Sequence, residues 1–283
     1  MIGNNDLIMR KMSCAVFLLL MNLLFCSCVS HLQEAKLYYT QGQELSRVYS
    51  TERAIASYKK SLEEVEIEIA RNPSAQAYMI KGMVEVNLKM WQKAEKSFLS
   101  AFSLGFPEGQ EWAEQVSLFG LASSLEEMGL EESAFKVYSY LVSKSKLKPV
   151  TLLAAQRYTD IALRDLPQEG EKERQRSLEK LLKSIEKLSV NDLSCGYYHY
   201  LQSQVLSHKA EYGQSFEEAV MAKELGLPTE EIMRDNDLQI VFCFKNLKQN
   251  LEGQKWEKFY SMYLDWTQKW MWPDPETPDW KKR

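Results

Sequence analysis

The chain contains few of the residues that break helices. Its 283 residues include only 12 Gly and 8 Pro. Several of the prolines stand where a helix would begin, a position that tolerates proline: Pro73, Pro107, Pro149 and Pro228. With 45% hydrophobic and 26% charged residues, this scarcity of helix breakers predicts an ordered, all-α protein.

A strong excess of one charge is also lacking. The formal net charge is −4 and the sequence pI is about 5.7. Domains that bind nucleic acids usually carry a strongly basic face, because they must neutralise phosphates. We therefore expect no nucleic-acid partner.

Motifs of known catalytic and metal sites are missing from the sequence. The chain has no HExxH, no Gly-rich phosphate loop, no GxSxG nucleophile elbow and no CxxC. Of the three histidines, His199 and His208 lie nine residues apart in one predicted helix, which is a poor spacing for metal ligands. We expect no metal, no cofactor and no enzymatic activity.

Cysteine is scarce, and most of it lies near the N-terminus. Cys14, Cys26 and Cys28 belong to a predicted targeting segment, which leaves Cys195 and Cys243 for the folded part of the chain. These two could pair in an oxidising compartment. They could equally be separate buried thiols, since free cysteine often packs as a small hydrophobic residue.

An apolar run near the N-terminus is too short to span a membrane. Arg10 and Lys11 precede twelve residues, 14–25, that are interrupted only by Asn22. A spanning helix needs about 20 apolar residues, so this run is typical of a signal peptide. The following residues, 25–28, resemble a bacterial lipobox, which implies cleavage before Cys28 and acylation of that cysteine. Plain secretion and an uncleaved anchor are the alternatives.

A pattern of small and aromatic residues recurs every 40 positions. The middle copy is Gly82, Ala94, Phe98 and Ala101. The copy before it is Gly42, Ala54, Tyr58 and Ser61, and the copy after it is Ala122, Ala134, Tyr138 and Leu141. Small residues let paired helices approach closely, and a recurring aromatic residue can fill the seam between neighbouring pairs. The pattern predicts repeated helix-turn-helix units.

These repeats resemble the tetratricopeptide family, whose motif extends over about 34 residues. Tyr38 and Tyr78 stand at its early aromatic position, Leu121-Ala122 at its Leu-Gly position, and Pro107 near its terminal proline. The resemblance implies a right-handed superhelical α-solenoid. The chain departs from the motif in its longer period and in Gln41 and Lys81, which replace the leucine.

Two weaker copies extend the array to about five repeats. The fourth has Ala162, Arg174, Leu178 and Leu181, and the fifth has Ser203, Ser215, Ala219 and Ala222. The predicted division of the chain is a signal peptide (1–27), a lipidated tether (28–35), repeats (36–228), a C-terminal capping helix pair (229–272) and a disordered tail (273–283).

The predicted cap contains two helices with apolar faces. In the first, we expect Asp235 or Asp237 as N-cap and a buried side formed by Leu238, Val241, Phe242 and Leu247. In the second, Trp256, Phe259, Tyr260, Tyr263 and Trp270 share one face and are expected to pack on the repeats. Trp266 and Met262 point elsewhere and form a possible partner surface.

The tetratricopeptide resemblance implies that first helices line a groove. The residues three before and one after each small marker would then face a ligand: Tyr39, Gln43, Met79, Met83, Phe119, Ser123, Thr159, Leu163, Tyr200 and Gln204. Such a lining would be adaptable and mildly apolar. The alternative is that long helices pack these side chains inside.

Together these features predict a lipid-anchored scaffold or receptor on the periplasmic side of a bacterial envelope. Its partners would be the bilayer, through Cys28, and an envelope protein or an extended apolar ligand. Val29 follows the cysteine, and by resemblance to lipoproteins the lack of Asp there favours the outer membrane. The alternative is a protein similar to the repeat lipoproteins of TRAP transporters, which bind a small hydrophobic ligand and a solute-binding protein.

Overall fold

The computed structural model describes residues 30–167, 170–192 and 195–271, and this part of the chain consists of α-helices without a strand. Twelve helices follow one another, and a π-helical turn, Thr267–Met271, ends the described chain. Their bounds are α1 His31–Arg47, α2 Thr51–Arg71, α3 Ala75–Asn87, α4 Trp91–Leu104, α5 Glu111–Glu127, α6 Glu131–Lys144, α7 Lys148–Arg164, α8 Glu171–Asn191, α9 Gly196–His208, α10 Tyr212–Leu225, α11 Glu230–Asn250 and α12 Gly253–Trp266. The all-α prediction is confirmed.

The helices belong to two compact units. Unit 1 ends at Leu130 and unit 2 begins at Glu131. This division falls between α5 and α6, inside the third predicted repeat. Each unit has hydrophobic clusters of its own.

In unit 1, the predicted small and aromatic residues pack directly against one another. A Cβ atom added at Gly42 would lie 2.5 Å from a ring carbon of Tyr58, and one added at Gly82 would lie 2.7 Å from Phe98. Neither position has room for a larger residue. The close approach of the two helices in each pair therefore depends on glycine, as the repeat pattern predicts.

The turns between paired helices repeat with the same period. Tyr49, Lys89 and Gly129, each 40 residues after the last, have φ values of 57°, 58° and 76°, and Ala210 has 60°. In each turn the next amide nitrogen donates to a carbonyl five residues earlier, as from Met90 to Glu85 at 2.8 Å. This hydrogen bond and the left-handed residue end the first helix of the pair as in a Schellman motif. The repeat of helix, turn and helix is thus confirmed in the backbone.

Unit 2 is built around α7, α8 and α9. Leu178, Leu181 and Ile185 of α8 are buried against Leu201 and Val205 of α9. The opposite side of α8, which carries most of its charged residues, is exposed. In the fifth repeat the small residues Ser203, Ser215, Ala219 and Ala222 are all buried.

The first cap helix begins at a different residue and buries a partly different side from those predicted. Helix α11 begins at Glu230, because the Thr229 hydroxyl accepts a hydrogen bond from the Ile232 amide at 3.2 Å, so neither predicted aspartate is the N-cap. Leu238 and Phe242 are exposed. Leu247 is buried as predicted and Val241 is half-buried, whereas the other buried residues of α11 are Asn236, Ile240 and Cys243.

At the other end of the described chain, α1 begins earlier than the predicted boundary at 36. Ser30 is the N-cap, and its hydroxyl accepts from the Gln33 amide at 3.2 Å. Ala35, placed in the tether by the prediction, is fully buried. Residues 1–27, Cys28 and the tail 273–283 lie outside the described residues.

The structure distinguishes between the two alternatives for the cysteines of the folded part. Cys195 and Cys243 are both free and buried, so of the two alternatives the separate thiols are confirmed. Cys243 Sγ lies 3.1 Å from Ser215 Oγ inside unit 2.

Within the described ranges, none of the helices combines the length and the apolar character that crossing a bilayer requires.

Candidate functional site

Two of the predicted groove residues form a hydrogen-bonded pair in unit 1. Gln43 Nε2 donates to Tyr39 Oη at 3.2 Å and to Asn87 Oδ1 at 3.0 Å. The second bond links the first repeat to the second. Burial, and then the neighbouring Tyr58 hydroxyl, raise the pKa of Tyr39 to about 12, so this tyrosine stays protonated at neutral pH.

The same pair recurs in unit 2. Gln204 Nε2 donates to Tyr200 Oη at 2.7 Å, again across one helical turn. Tyr200 is buried, and its burial, with Asp235 nearby, raises the pKa of its hydroxyl. Tyr200 is therefore a core residue that presents no surface to a ligand, and the alternative of inward packing applies to it.

The other predicted groove residues are either buried or half-buried. Met79 is 2% exposed and Met83 packs against the same cluster in unit 1. Thr159 is also buried, whereas Phe119, Ser123 and Leu163 are half-buried. Met79 and Thr159 are corrections to the groove prediction, because the close helix pairs leave those side chains no path to solvent.

The possible partner surface on α12 is corrected as well. Trp266 is 3% exposed and packs in a cluster with Phe216 and Ile240, and Met262 packs against that cluster. Tyr260 and Trp270, which we expected to pack, are exposed instead. The π-helical turn that begins at Thr267 displaces Trp270 from α-helical register. Its indole nitrogen lies 3.4 Å from Glu224 of α10.

A cleft of about 400 Å³ in unit 2 was not anticipated from the sequence. We call it the aromatic cleft. One wall is the stacked pair Phe135 and Tyr158, whose ring centroids are 4.7 Å apart with planes at 18°. The remaining lining is Glu131, Glu132, Ile161, Ala162, Asp165, Leu166, Pro167, Ser177, Lys180 and Leu181. Helices α6, α7 and α8 therefore meet around one pocket.

Most of the charge at the rim of the aromatic cleft is already neutralised. Glu131 pairs with Arg164 at 3.0 Å, and Glu132 pairs with Lys136 at 2.6 Å. The hydrogen bond from Lys136 lowers the pKa of Glu132, so this carboxylate stays ionised and paired. The cleft thus offers an apolar interior behind a nearly neutral rim, which suits an apolar group better than an ion.

Sequence reasoning missed the cleft for a geometric reason. Phe135 and Tyr158 lie 23 positions apart in helices of different predicted repeats. Their stacking depends on how α6 crosses α7, and no periodicity in the sequence specifies that crossing. The repeat pattern predicts that each of the two residues lies in a helix, but it does not predict that their rings contact each other.

Among the described residues, three possible metal ligands lie together in unit 1. They are His31, Glu34 and Glu64. The imidazole is already engaged on both sides: Nδ1 lies 2.6 Å from Glu64 Oε2, and Nε2 lies 2.7 Å from a guanidinium nitrogen of Arg71. A metal ion would have to displace these partners, so the cluster is better described as a hydrogen-bonded link between α1 and α2.

No protein family model matches the chain, and no curated protein matches it. The solved structures to which it is similar include YrrB and PilF. One is YrrB, described as a TPR protein with an unusual peptide-binding site, at a TM-score of 0.41 and 19% identity over 71% of this chain and 90% of that one. The other is PilF of Pseudomonas aeruginosa, at a TM-score of 0.47 and 14% identity over 81% of this chain and 98% of that one. These two matches are too distant to assign a family or a function, and the description of the fold rests on the repeated helix pairs given above.

Proposed function

We propose that the chain is a lipid-anchored receptor on the periplasmic side of a bacterial envelope, which binds an apolar group of a protein partner in the aromatic cleft. The observation that carries this proposal is the cleft itself. Its volume of about 400 Å³ falls within the range of ligand pockets. The proposed role is binding, without a catalytic step.

The energetics of such a site favour a large apolar side chain. Burying one Leu, Phe or Met side chain contributes about 1.5–3 kcal/mol. Phe135 and Tyr158 are positioned by their own stacking, so little order is lost when a ligand enters. Affinity beyond that supplied by one buried side chain of the partner would come from contacts around the rim of the cleft, where Ser177 and Lys180 of α8 are exposed.

The lipid anchor at Cys28 is the second part of the proposal. The segment before Cys28 has the charge, length and apolar core of a secretory signal, and the residue after the cysteine favours the outer membrane. Metabolic labelling with palmitate tests the anchor in the full chain. We expect the wild type to be labelled and to sediment with membranes, and a Cys28→Ala variant to lose both properties. A variant that keeps label and membrane association would contradict acylation at this residue.

The cleft is tested by photo-crosslinking in the envelope. A photoreactive amino acid at Ser177 lies in the lining of the cleft, and the same residue at Leu153, exposed on α7 outside that lining, serves as control. We expect a protein adduct of defined mass from position 177 and none from position 153. Equal adducts from both positions, or none from 177, would contradict the cleft as the binding site.

The size of the cleft also supports a second function. A pocket of this volume can enclose a small hydrophobic molecule, as in the alternative of an accessory lipoprotein similar to those of TRAP transporters. The crosslinking experiment separates the two functions. A protein adduct supports the receptor, whereas a mass increase of a few hundred daltons, on the order of a drug-sized ligand, supports the small-molecule alternative.

A further inference from the structure

The N-cap of helix α1 lies two residues after the proposed site of acylation. Ser30 is the N-cap of α1, and only Val29 separates it from Cys28. Each residue extends a chain by at most about 3.6 Å, so the Cα atoms of Cys28 and Ser30 are at most about 7 Å apart. The headgroup layer on each side of a bilayer is about 5–8 Å thick. An acylated Cys28 would therefore hold the start of α1 at headgroup level.

Other segments of unit 1 lie at the same end as the start of α1. His31 contacts Glu64 and Arg71, which ties this start to the last turns of α2. Leu32 of α1, Ile69 of α2 and Phe106 of the loop between α4 and α5 pack against one hydrophobic cluster that includes Ala77 and Ala113. The starts of α1, α3 and α5 and the ends of α2 and α4 thus form one end of the unit.

Two large apolar side chains are exposed at that end. Leu104, the last residue of α4, is 50% exposed, and Trp112, in the first turn of α5, is 43% exposed. Tryptophan is enriched where a membrane meets water, because its ring is apolar and its indole nitrogen can be hydrated. Glu108, Glu111 and Glu114 are exposed nearby. These carboxylates would be repelled by anionic lipids, so a zwitterionic lipid surface, which carries no net charge, is the one that this end can approach.

We infer that this end of unit 1 rests on a zwitterionic phospholipid surface, with Trp112 and Leu104 at headgroup level. The inference depends on the proposed acylation of Cys28, since the short segment between Cys28 and Ser30 brings this end of unit 1 to the membrane. The chain then has no long flexible tether. The opposite end of unit 1, with Tyr49 and Val48 in the turn after α1, stands about 25 Å away along the 17-residue helix.

Tryptophan quenching by brominated lipids tests the contact. The full acylated protein is reconstituted into vesicles of phosphatidylethanolamine and phosphatidylcholine, with bromine near the top of the acyl chains. We expect quenching in the wild type and at least a twofold smaller quenched fraction in Trp112→Phe. Trp91→Phe is the matched control, because Trp91 begins α4 and lies at the other end of that helix from Leu104.

The outcomes separate this inference from the proposed anchor. If the wild type carries no acyl group and does not bind vesicles, both the anchor and the inference are overturned. If it is acylated and bound, but Trp112→Phe is quenched as strongly as Trp91→Phe, the anchor stands and the surface contact is overturned. Unchanged thermal melts of both variants establish that the difference comes from position and not from unfolding.

Discussion

Phe98 lies between two glycines of neighbouring first helices. A Cβ atom added at Gly82 would be 2.7 Å from the Phe98 ring, and one added at Gly120 would be 2.3 Å from it. Gly82 belongs to the same repeat as Phe98, and Gly120 belongs to α5, the next first helix. One fully buried aromatic ring thus fills the seam between two repeats, and its two neighbours must lack side chains.

We predict that Gly120→Ala destabilises unit 1. Alanine should gain up to about 1 kcal/mol in helix propensity, but the clash with Phe98 forces overpacking, which costs about 1–3 kcal/mol. Urea denaturation followed by circular dichroism measures the difference. Gln92→Ala, an exposed position on α4, is the control and should change the free energy of unfolding by less than about 0.5 kcal/mol. A stabilised Gly120→Ala variant would refute the close contact.

Truncating the ring itself should have a larger effect. We expect Phe98→Ala to lower the free energy of unfolding by about 3–5 kcal/mol, since it removes a buried aromatic side chain and leaves a cavity. Leu99→Ala removes the next side chain along the same helix, which is largely exposed, and should cost far less. Equal effects of the two substitutions would show that the burial of Phe98 has been misassigned.

The turn residues with positive φ allow two substitutions that should change stability in opposite directions. Lys89 and Ala210 occupy a conformation that favours glycine, and Gly129 occupies it already. We expect Lys89→Gly to stabilise the protein by up to about 1 kcal/mol and Gly129→Ala to destabilise it by about the same amount. Thermal melting of the two variants measures this, and shifts of the same sign would contradict a shared turn geometry.

A buried carboxyl group in unit 1 should make stability depend on pH. Glu85 is 1% exposed, accepts a 2.6 Å hydrogen bond from Ser97 Oγ, and has its pKa raised by burial. A carboxyl group whose pKa is raised on folding stabilises the fold below its unfolded pKa, and that contribution is lost as pH rises through the folded pKa. Stability should therefore fall as pH rises above the ordinary glutamate range.

The comparison that isolates Glu85 is a neutral replacement. Glu85→Gln keeps the shape and removes the titration, so its stability relative to wild type should increase with pH across that range. Glu63→Gln, an exposed change on α2, should follow the wild-type profile. Parallel pH profiles for wild type and Glu85→Gln would show that Glu85 does not control this dependence.

The repeats could be predicted because their signal is periodic. Tyr58, Phe98 and Tyr138 were identified as seam residues, and all three are buried. The face of α11 could not be predicted in the same way, because residues 240–244 are continuously apolar and do not define one side. Trp266 was misplaced because the aromatic residues of α12 fall on more than one side, so spacing alone could not distinguish the packed side from the exposed one. The aromatic cleft could not be predicted, because it depends on how α6 crosses α7, and the spacing of residues in the sequence does not specify that crossing.

The most direct test of the proposed function is to fill the aromatic cleft. Ala162 lines it, and an Ala162→Phe variant would occupy the space beside Phe135 and Tyr158. Nile red, a neutral apolar dye, serves as the probe in a fluorescence titration, and Ala70→Phe, at an exposed alanine of α2, is the control. We predict saturable binding to the wild type and the control and at least tenfold weaker binding to Ala162→Phe, with circular dichroism showing that both variants are folded at the temperature of the titration. Unchanged dye affinity in Ala162→Phe would contradict the account.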